Sequence, residues 1–259
     1  MPKTYKFLAF DTSTDRLSVA LTDGAHVWQH SGPGGAQASV TLVPAILALL
    51  AEAGLALGML DAVVFGRGPG SFTGLRTACA VAQGLALGAN GGAGIPVLPI
   101  DTLMALAEEA RFARTGAPLA DAAPLAVTAL LDARMDEMYV QRYEFKSGLC
   151  TPVGGCSLIR PENLVPADGV QLLAGNVFGV YAGRLPAAVA GLPCAEALPT
   201  ATALLRLAPA LADAGQCVDA ALALPLYVRD KVAQTTEERT RLKAEAALAA
   251  PLAQEGPGA

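Results

Sequence analysis

Between Phe65 and Leu75 the chain reads Gly66-Arg67-Gly68-Pro69-Gly70-Ser71-Phe72-Thr73-Gly74. An apolar run, Ala62-Val63-Val64-Phe65, precedes it, and a Gly/Ala-rich helical pattern from Leu75 to Leu87 follows. Strand, glycine loop, helix is the layout of a backbone built for close approach. Glycine tolerates positive φ and lacks the Cβ that would hold off a neighbour or an anion. What approaches that loop decides what the chain can do.

Several chemistries fail on inventory. A Walker A loop needs Gly-Lys-Ser/Thr, and here Gly74 is followed by Leu75-Arg76. The dinucleotide spacing G-x-G-x-x-G is absent, and no Gly-x-Ser-x-Gly elbow surrounds Ser71. The two histidines, His26 and His30, fall on or just past a hairpin strand rather than on one helix face, which makes them a poor zinc pair and leaves no serine–histidine couple. Five scattered cysteines, Cys79, Cys150, Cys156, Cys194 and Cys217, form no C-x-x-C pair. They read as reduced, incidental thiols of a cytoplasmic protein. No catalytic constellation and no metal site is expected. The net charge of −5 lacks the Lys/Arg clustering that independent nucleic-acid binding requires. No uninterrupted apolar run reaches the roughly 18 residues of a membrane span, and the start does not read as a signal peptide.

The opening segment reads as a β-meander. Lys6 to Phe10 ends at Asp11-Thr12-Ser13-Thr14, Leu17 to Leu21 follows, Asp23-Gly24 signals a tight hairpin, and Ala25 to Gln29 is a third strand. Ser31 to Gly35 reads as a flexible loop. A strongly apolar helix is expected over Ser39–Ala53, with Pro44 near its first turns and Gly54 as its stop. After the Leu75–Leu87 helix comes a strand at Pro96–Ile100, then a helix from Leu103 to Ala113 that Thr102 can cap. A second block echoes the first: Val127–Leu131 runs into Asp132 as the first strand runs into Asp11, and Asp136 follows Asp132 by four residues as Asp15 follows Asp11. The layout predicts two lobes on one plan, each a mixed sheet opening with a β-hairpin and flanked by helices. Residues 1–113 form the first lobe with the glycine loop, 114–216 a smaller second lobe, 217–233 a segment returning toward the first, and 234–259 a charged helix with a disordered tail. Ser157–Ile159, Gln171–Ala174 and a helix over Ala201–Ala214 are the elements expected in the second lobe, with Pro161-Glu162 able to open a helix.

Asp11, with the hydroxyls of Thr12 and Ser13 behind it, has the character of a phosphate or magnesium loop, and equally of a capped hairpin turn. Its counterpart, Asp132-Ala133-Arg134-Met135, has no glycine and would crowd a phosphate. A nucleotide clamp with one such jaw binds ATP poorly. The alternative is an ATPase or phosphotransferase acting alone through Asp11 and Asp132. On the helix after the glycine loop, Ala78, Ala82 and Ala86 recur at four-residue spacing beyond Gly74. That stripe suits close packing against the protein's own sheet, or, with Phe72, an interface with another protein.

Taken together, Phe10 to Thr14, Gly66 to Arg76, Ala82-Gln83-Gly84-Leu85-Ala86, Leu131 to Tyr139 and Pro225 to Arg229 resemble the bacterial TsaB family of tRNA threonylcarbamoyladenosine biosynthesis proteins. The resemblance covers about residues 5 to 233. It implies an α/β, two-lobed actin-like ATPase (ribonuclease H-like) fold. It also implies a non-catalytic subunit that heterodimerises with the transferase TsaD, with the small ATPase TsaE joining them. Contact with TsaD is then expected from the first helix, including Leu42 and Ile46, and from Gly70, Phe72, Gly74, Leu75, Ala78, Ala82 and Ala86. The resemblance implies no tightly bound cofactor in the chain itself, with Asp11, Thr12 and Ser13 a vestigial phosphate loop and ATP or ADP with magnesium a feature of the assembled complex. It implies tRNA contact only through the complex; no membrane contact and a cytoplasmic location are expected, and the same stripe is one that could serve a homodimer when the chain is alone. Many relatives carry a histidine near the start of the first helix, where this chain has Ala38-Ser39.

Overall fold

The computed structural model describes residues 4–166 and 169–229. The charged helix and tail expected over 234–259 lie outside the described residues.

The first sheet contains β1 (Phe7–Asp11), β2 (Arg16–Thr22), β3 (Val27–Pro33), β4 (Ala62–Gly68) and β5 (Val97–Asp101), in the order β3-β2-β1-β4-β5. β1, β2 and β3 are antiparallel neighbours, while β4 runs parallel to β1 and β5 parallel to β4. The second sheet contains β6 (Leu125–Arg134), β7 (Glu137–Lys146), β8 (Leu149–Ile159), β9 (Leu172–Gly175) and β10 (Cys194–Glu196), in the order β10-β9-β6-β7-β8. Its wiring repeats the first: an antiparallel meander, then two parallel strands added beside its first strand. The echo between Asp11 and Asp132 is thus a repeated topology, and the fold is the two-lobed actin-like α/β arrangement.

The repeats differ in their helices. Between β3 and β4 lies α1 (Ala38–Ala53), and between β4 and β5 lies α2 (Phe72–Gly88). In the second repeat, among the described residues, the first of these connections holds a 3-10 turn, Pro161–Asn163, and the second a four-residue helix, α4 (Val177–Val180), with a 3-10 turn, Ala187–Val189. Pro161-Glu162 therefore opens a helix of a single 3-10 turn, with Arg160 at its cap position. The third helix survives in both, as α3 (Thr102–Thr115) and α5 (Ala201–Asp213). These two cross over: α3 packs on β6 and β9 of the second sheet, α5 on β1 and β2 of the first, and the two touch each other.

That arrangement explains the alanine content. The layer between the sheets buries Ala9, Ala20, Ala62, Ala129 and Ala174 from strands, with Ala105, Ala107, Ala110, Ala201 and Ala208 from α3 and α5. Small side chains let two sheets and two helices approach closely. On β1, Phe7 and Ala9 face this layer, while Leu8 and Phe10 face the α1/α2 side. Burial on both faces is why the strand is apolar throughout, with no alternation. One charged knot sits inside the layer. Arg111 is fully buried and grips Glu108 with two bonds, Nε to Oε2 at 2.6 Å and Nη2 to Oε1 at 2.9 Å, while Arg206 of α5 reaches the same Glu108 at 2.8 Å and Glu109 at 2.6 Å.

Local boundaries depart from the sequence reading at a few points. β3 continues through Ser31 to Pro33, where a flexible loop was expected, and β8 begins at Leu149, eight residues before Ser157. Both are edge strands, which tolerate Gly and Pro because one side of the backbone needs no partner. The cap position of α3 is Asp101; Thr102 is the first helical residue, and its hydroxyl is used elsewhere. Pro44 falls in the second turn of α1 on its exposed face. On length and composition alone, Gly35–Ala53 is apolar enough to cross a bilayer. In the fold Leu42, Ile46, Leu49 and Leu50 of this stretch are core residues.

Candidate functional site

The glycine loop meets its own chain. Asp11, at the end of β1, is 1% exposed, and Thr12 and Ser13 are equally buried. Asp11 Oδ1 accepts bonds from the Ser13 amide at 2.8 Å and the Ser13 hydroxyl at 2.6 Å. Its Oδ2 accepts from Thr102 Oγ1 at 3.4 Å, and that hydroxyl accepts the Gly68 amide at 3.1 Å. Thr12 Oγ1 donates to the Gly74 carbonyl at 2.8 Å, and the Ser71 amide donates to the Ser13 carbonyl at 2.8 Å. The end of β1, the loop and the start of α3 are tied into one knot.

The spacing of the glycines follows from that knot. A Cβ on Gly66 would stand 1.8 Å from Asp11 Oδ2, one on Gly70 2.6 Å from the Ser13 carbonyl, and one on Gly74 1.9 Å from the Thr12 carbonyl. Gly68 has φ +119°, in the region that side chains rarely adopt, and its open side is filled by the Leu226 carbonyl. Beyond the loop, Ser71 caps α2, its side chain accepting from the Gly74 amide at 3.4 Å. The polar atoms read from the sequence as a phosphate loop bond within the chain. Burial pushes the Asp11 carboxyl above its ordinary range, with the Ser13 and Thr102 hydrogen bonds opposing.

The segment after Gln216 straps this region down. Val218 and Val97 exchange backbone bonds at 2.9 and 2.8 Å, and the Ala223 carbonyl accepts Gln83 Nε2 at 2.9 Å. The Leu226 amide donates to the Arg67 carbonyl at 2.7 Å. Tyr227 then rests on Phe72, ring centroids 5.4 Å apart, with the Arg76 guanidinium over Phe72 at 4.8 Å.

The residues expected to face a partner divide sharply. Gly74, Leu75, Ala78, Ala82 and Ala86 of α2, and Leu42 and Ile46 of α1, are buried in this chain. Of the two readings of the alanine stripe, packing on the protein's own sheet is the one found: Ala78, Ala82 and Ala86 share a core cluster with Leu42, Ile46, Val63 and Phe65. The surface stripe on these helices is composed of other residues. Phe72 is 43% exposed and Gly70 half-buried. On α1, Val40, Val43, Pro44, Leu47, Ala48 and Ala51 are exposed, with Val40 at 73% and Leu47 at 53%. On α2 the outward line is Thr73, Thr77, Ala80, Gly84 and Leu87. Val40, Pro44, Leu47 and Ala51 are spaced 4-3-4, and the α2 line 4-3-4-3, the repeat with which one helix seats along another. A sequence signal for this face exists: α1 lacks a polar side, and a helix apolar all round needs cover on both faces.

Among the described residues no group of three His, Cys, Asp or Glu side chains could hold a metal ion. A family model described as "TsaD: tRNA N6-adenosine threonylcarbamoyltransferase" matches residues 33–240. The tRNA threonylcarbamoyladenosine biosynthesis protein TsaB of Escherichia coli (strain K12) is 31% identical over 236 residues, which cover 88% of this chain and 96% of that protein. The chain belongs to the TsaB family. The Haemophilus influenzae TsaB is 34% identical over 233 residues, covering 87% and 94% of the two chains. Among solved structures, YeaZ from Pseudomonas aeruginosa superposes with a TM-score of 0.74 at 38% identity, covering 86% of this chain and all of that one. TsaB membership places the chain in tRNA threonylcarbamoyladenosine biosynthesis.

Proposed function

We propose that this chain is a non-catalytic subunit of the tRNA-modifying machinery that pairs with the TsaD transferase through the outer faces of α1 and α2. The observation that carries the reading is the exposed apolar line Val40, Pro44, Leu47, Ala51 beside the small-residue line of α2. The first supplies apolar area and the second lets partner helices come close. An isolated apolar face of this length asks for cover. The internal bonding of Asp11, Thr12 and Ser13 supports a chain with no chemistry of its own. TsaE and MgATP or ADP then act on the assembled pair, tRNA is met through the complex, and the work is cytoplasmic.

Size-exclusion chromatography of the purified chain with TsaD at micromolar concentration tests this. A stable heterodimer is expected, and Leu47→Asp is expected to abolish it while leaving the fold intact. Migration as separate species would overturn the pairing. Self-association of the free chain through the same face would appear as a dimer that TsaD dissolves. Co-flotation with lipid vesicles would assign α1 to a membrane instead. Titration with MgATP alone should show no tight site, and tight binding lost in Asp11→Ala would favour a chain acting alone as an ATPase.

A further inference from the structure

The repeat sets two hairpins in corresponding places, and one ion pair joins them. At the end of β1, Asp11 Oδ1 accepts the amide of Ser13, two residues on; at the end of β6, Asp132 Oδ1 accepts the amide of Arg134, again two residues on, at 2.9 Å. From that second turn Arg134 Nη2 crosses to Asp15 Oδ2 in the first hairpin, 119 residues away, at 2.5 Å, while its Nη1 stays 3.5 Å from Asp132 Oδ2. The turn that carries Arg134 is strained. Arg134, Met135 and Asp136 have φ of 60°, 56° and 60°, three successive left-handed residues without a glycine. Ion pairs hold both ends of it: Arg134 on Asp15 and Asp132, Asp136 on Arg184 at 2.6 Å, with Arg184 also on Glu162.

We propose that Asp15 and Arg134 form a releasable latch between the two lobes, set against the strain of the β6–β7 turn. The two residues are 79% and 69% exposed, so water and salt compete for the pair and the latch is weak enough to open. Closed, it fixes the three left-handed residues and holds the hairpin tips together. Open, it lets the turn relax and the tips part, while the α3/α5 layer keeps the sheets assembled. Arg134 faces Asp15 and Asp132, and Asp136 faces Arg184, so lowering the charge of any of these carboxylates acts on the same turn. The latch concerns this chain's own motion and stands or falls independently of pairing with TsaD.

Amide hydrogen exchange on the full chain tests it, with wild type, Asp15→Arg, Arg134→Asp and the double exchange of charges compared at low salt. Asp15→Arg is expected to speed exchange of residues 133–137 at least threefold, although it lies in the other lobe, and the double variant to restore protection. In wild type, raising sodium chloride from 0.05 to 0.5 M is expected to give the same acceleration. Asp15→Asn, which removes the charge without adding a new one, should fall between. Thermal melts check that each variant is folded. Unchanged exchange at residues 133–137 in both Asp15 variants, or a double variant no better protected than the singles, would overturn the latch.

Discussion

Gly74 sits so close to Thr12 that no side chain fits between them: the Thr12 hydroxyl bonds to the Gly74 carbonyl at 2.8 Å, and a Cβ on Gly74 would stand 1.9 Å from the Thr12 carbonyl. The contact locks the first turn of α2 to the end of β1.

Gly74→Ala is therefore expected to destabilise the fold by about 3 kcal/mol or somewhat less, in the range of overpacked cores. Gly84, ten residues along the same helix, has open space around its Cβ position. Gly84→Ala is expected to stabilise by about 1 kcal/mol through helix propensity. Urea denaturation of the two variants measures the contrast, and equal effects would mean that the glycine loop can shift away from β1.

Ala82 and Leu47 separate packing from docking. Ala82 is fully buried, so Ala82→Leu should cost about 1–3 kcal/mol of fold stability, read from the denaturation midpoint. Leu47 is half exposed, so Leu47→Asp should change fold stability by no more than about 0.5 kcal/mol. Its effect should appear in affinity for TsaD, as a loss of at least tenfold in a binding titration. The reverse pattern would exchange the roles assigned to the two faces.

Asp11 gives a pH dependence with a definite sign. Burial raises its folded value above the ordinary 3.8, so the folded state holds the proton more tightly than the unfolded chain. The contribution of this group favours folding below about pH 3.8 and is lost as pH rises through the raised folded value. Asp11→Asn removes that titration, so the stability of the variant relative to wild type should increase with pH from about 4 upward. Denaturation midpoints between pH 4 and pH 8 measure it; a difference that stays flat would show that Asp11 titrates alike in both states.

The Glu108–Arg111 pair is buried on both sides. Arg111→Met leaves one of the two cations that face Glu108, and should cost about 3–5 kcal/mol, the typical effect of removing one member of a buried pair. Arg160→Met, on the surface, is the control and should fall within about 0.5 kcal/mol of wild type.

The sequence was clearest where one residue type has one physical use. The glycines announced close approach, and the Asp11 and Asp132 strand ends announced the repeat. What the glycines approach was not legible, since Thr12, Ser13 and Leu226 are brought there by the fold. The alanine stripe gave a helix face without a direction, because alanine suits a core and a close interface equally. β3 and β8 were read short because Gly32, Pro33, Pro152 and Gly154 look like loop, and only their edge position makes them tolerable. Asp15 and Arg134 were legible as parts of the repeat, but their ion pair was not: nothing local says that one hairpin will meet the other.

The exchange of α3 and α5 between the sheets means that the two repeats do not own separate interiors. A break after Thr115 would send α3 away with the first sheet and α5 with the second, and each fragment would show water the surface that the other had covered. The repeated plan is thus not divisible into two self-contained halves: a shared middle layer of this kind is expected to unfold in one transition with both sheets.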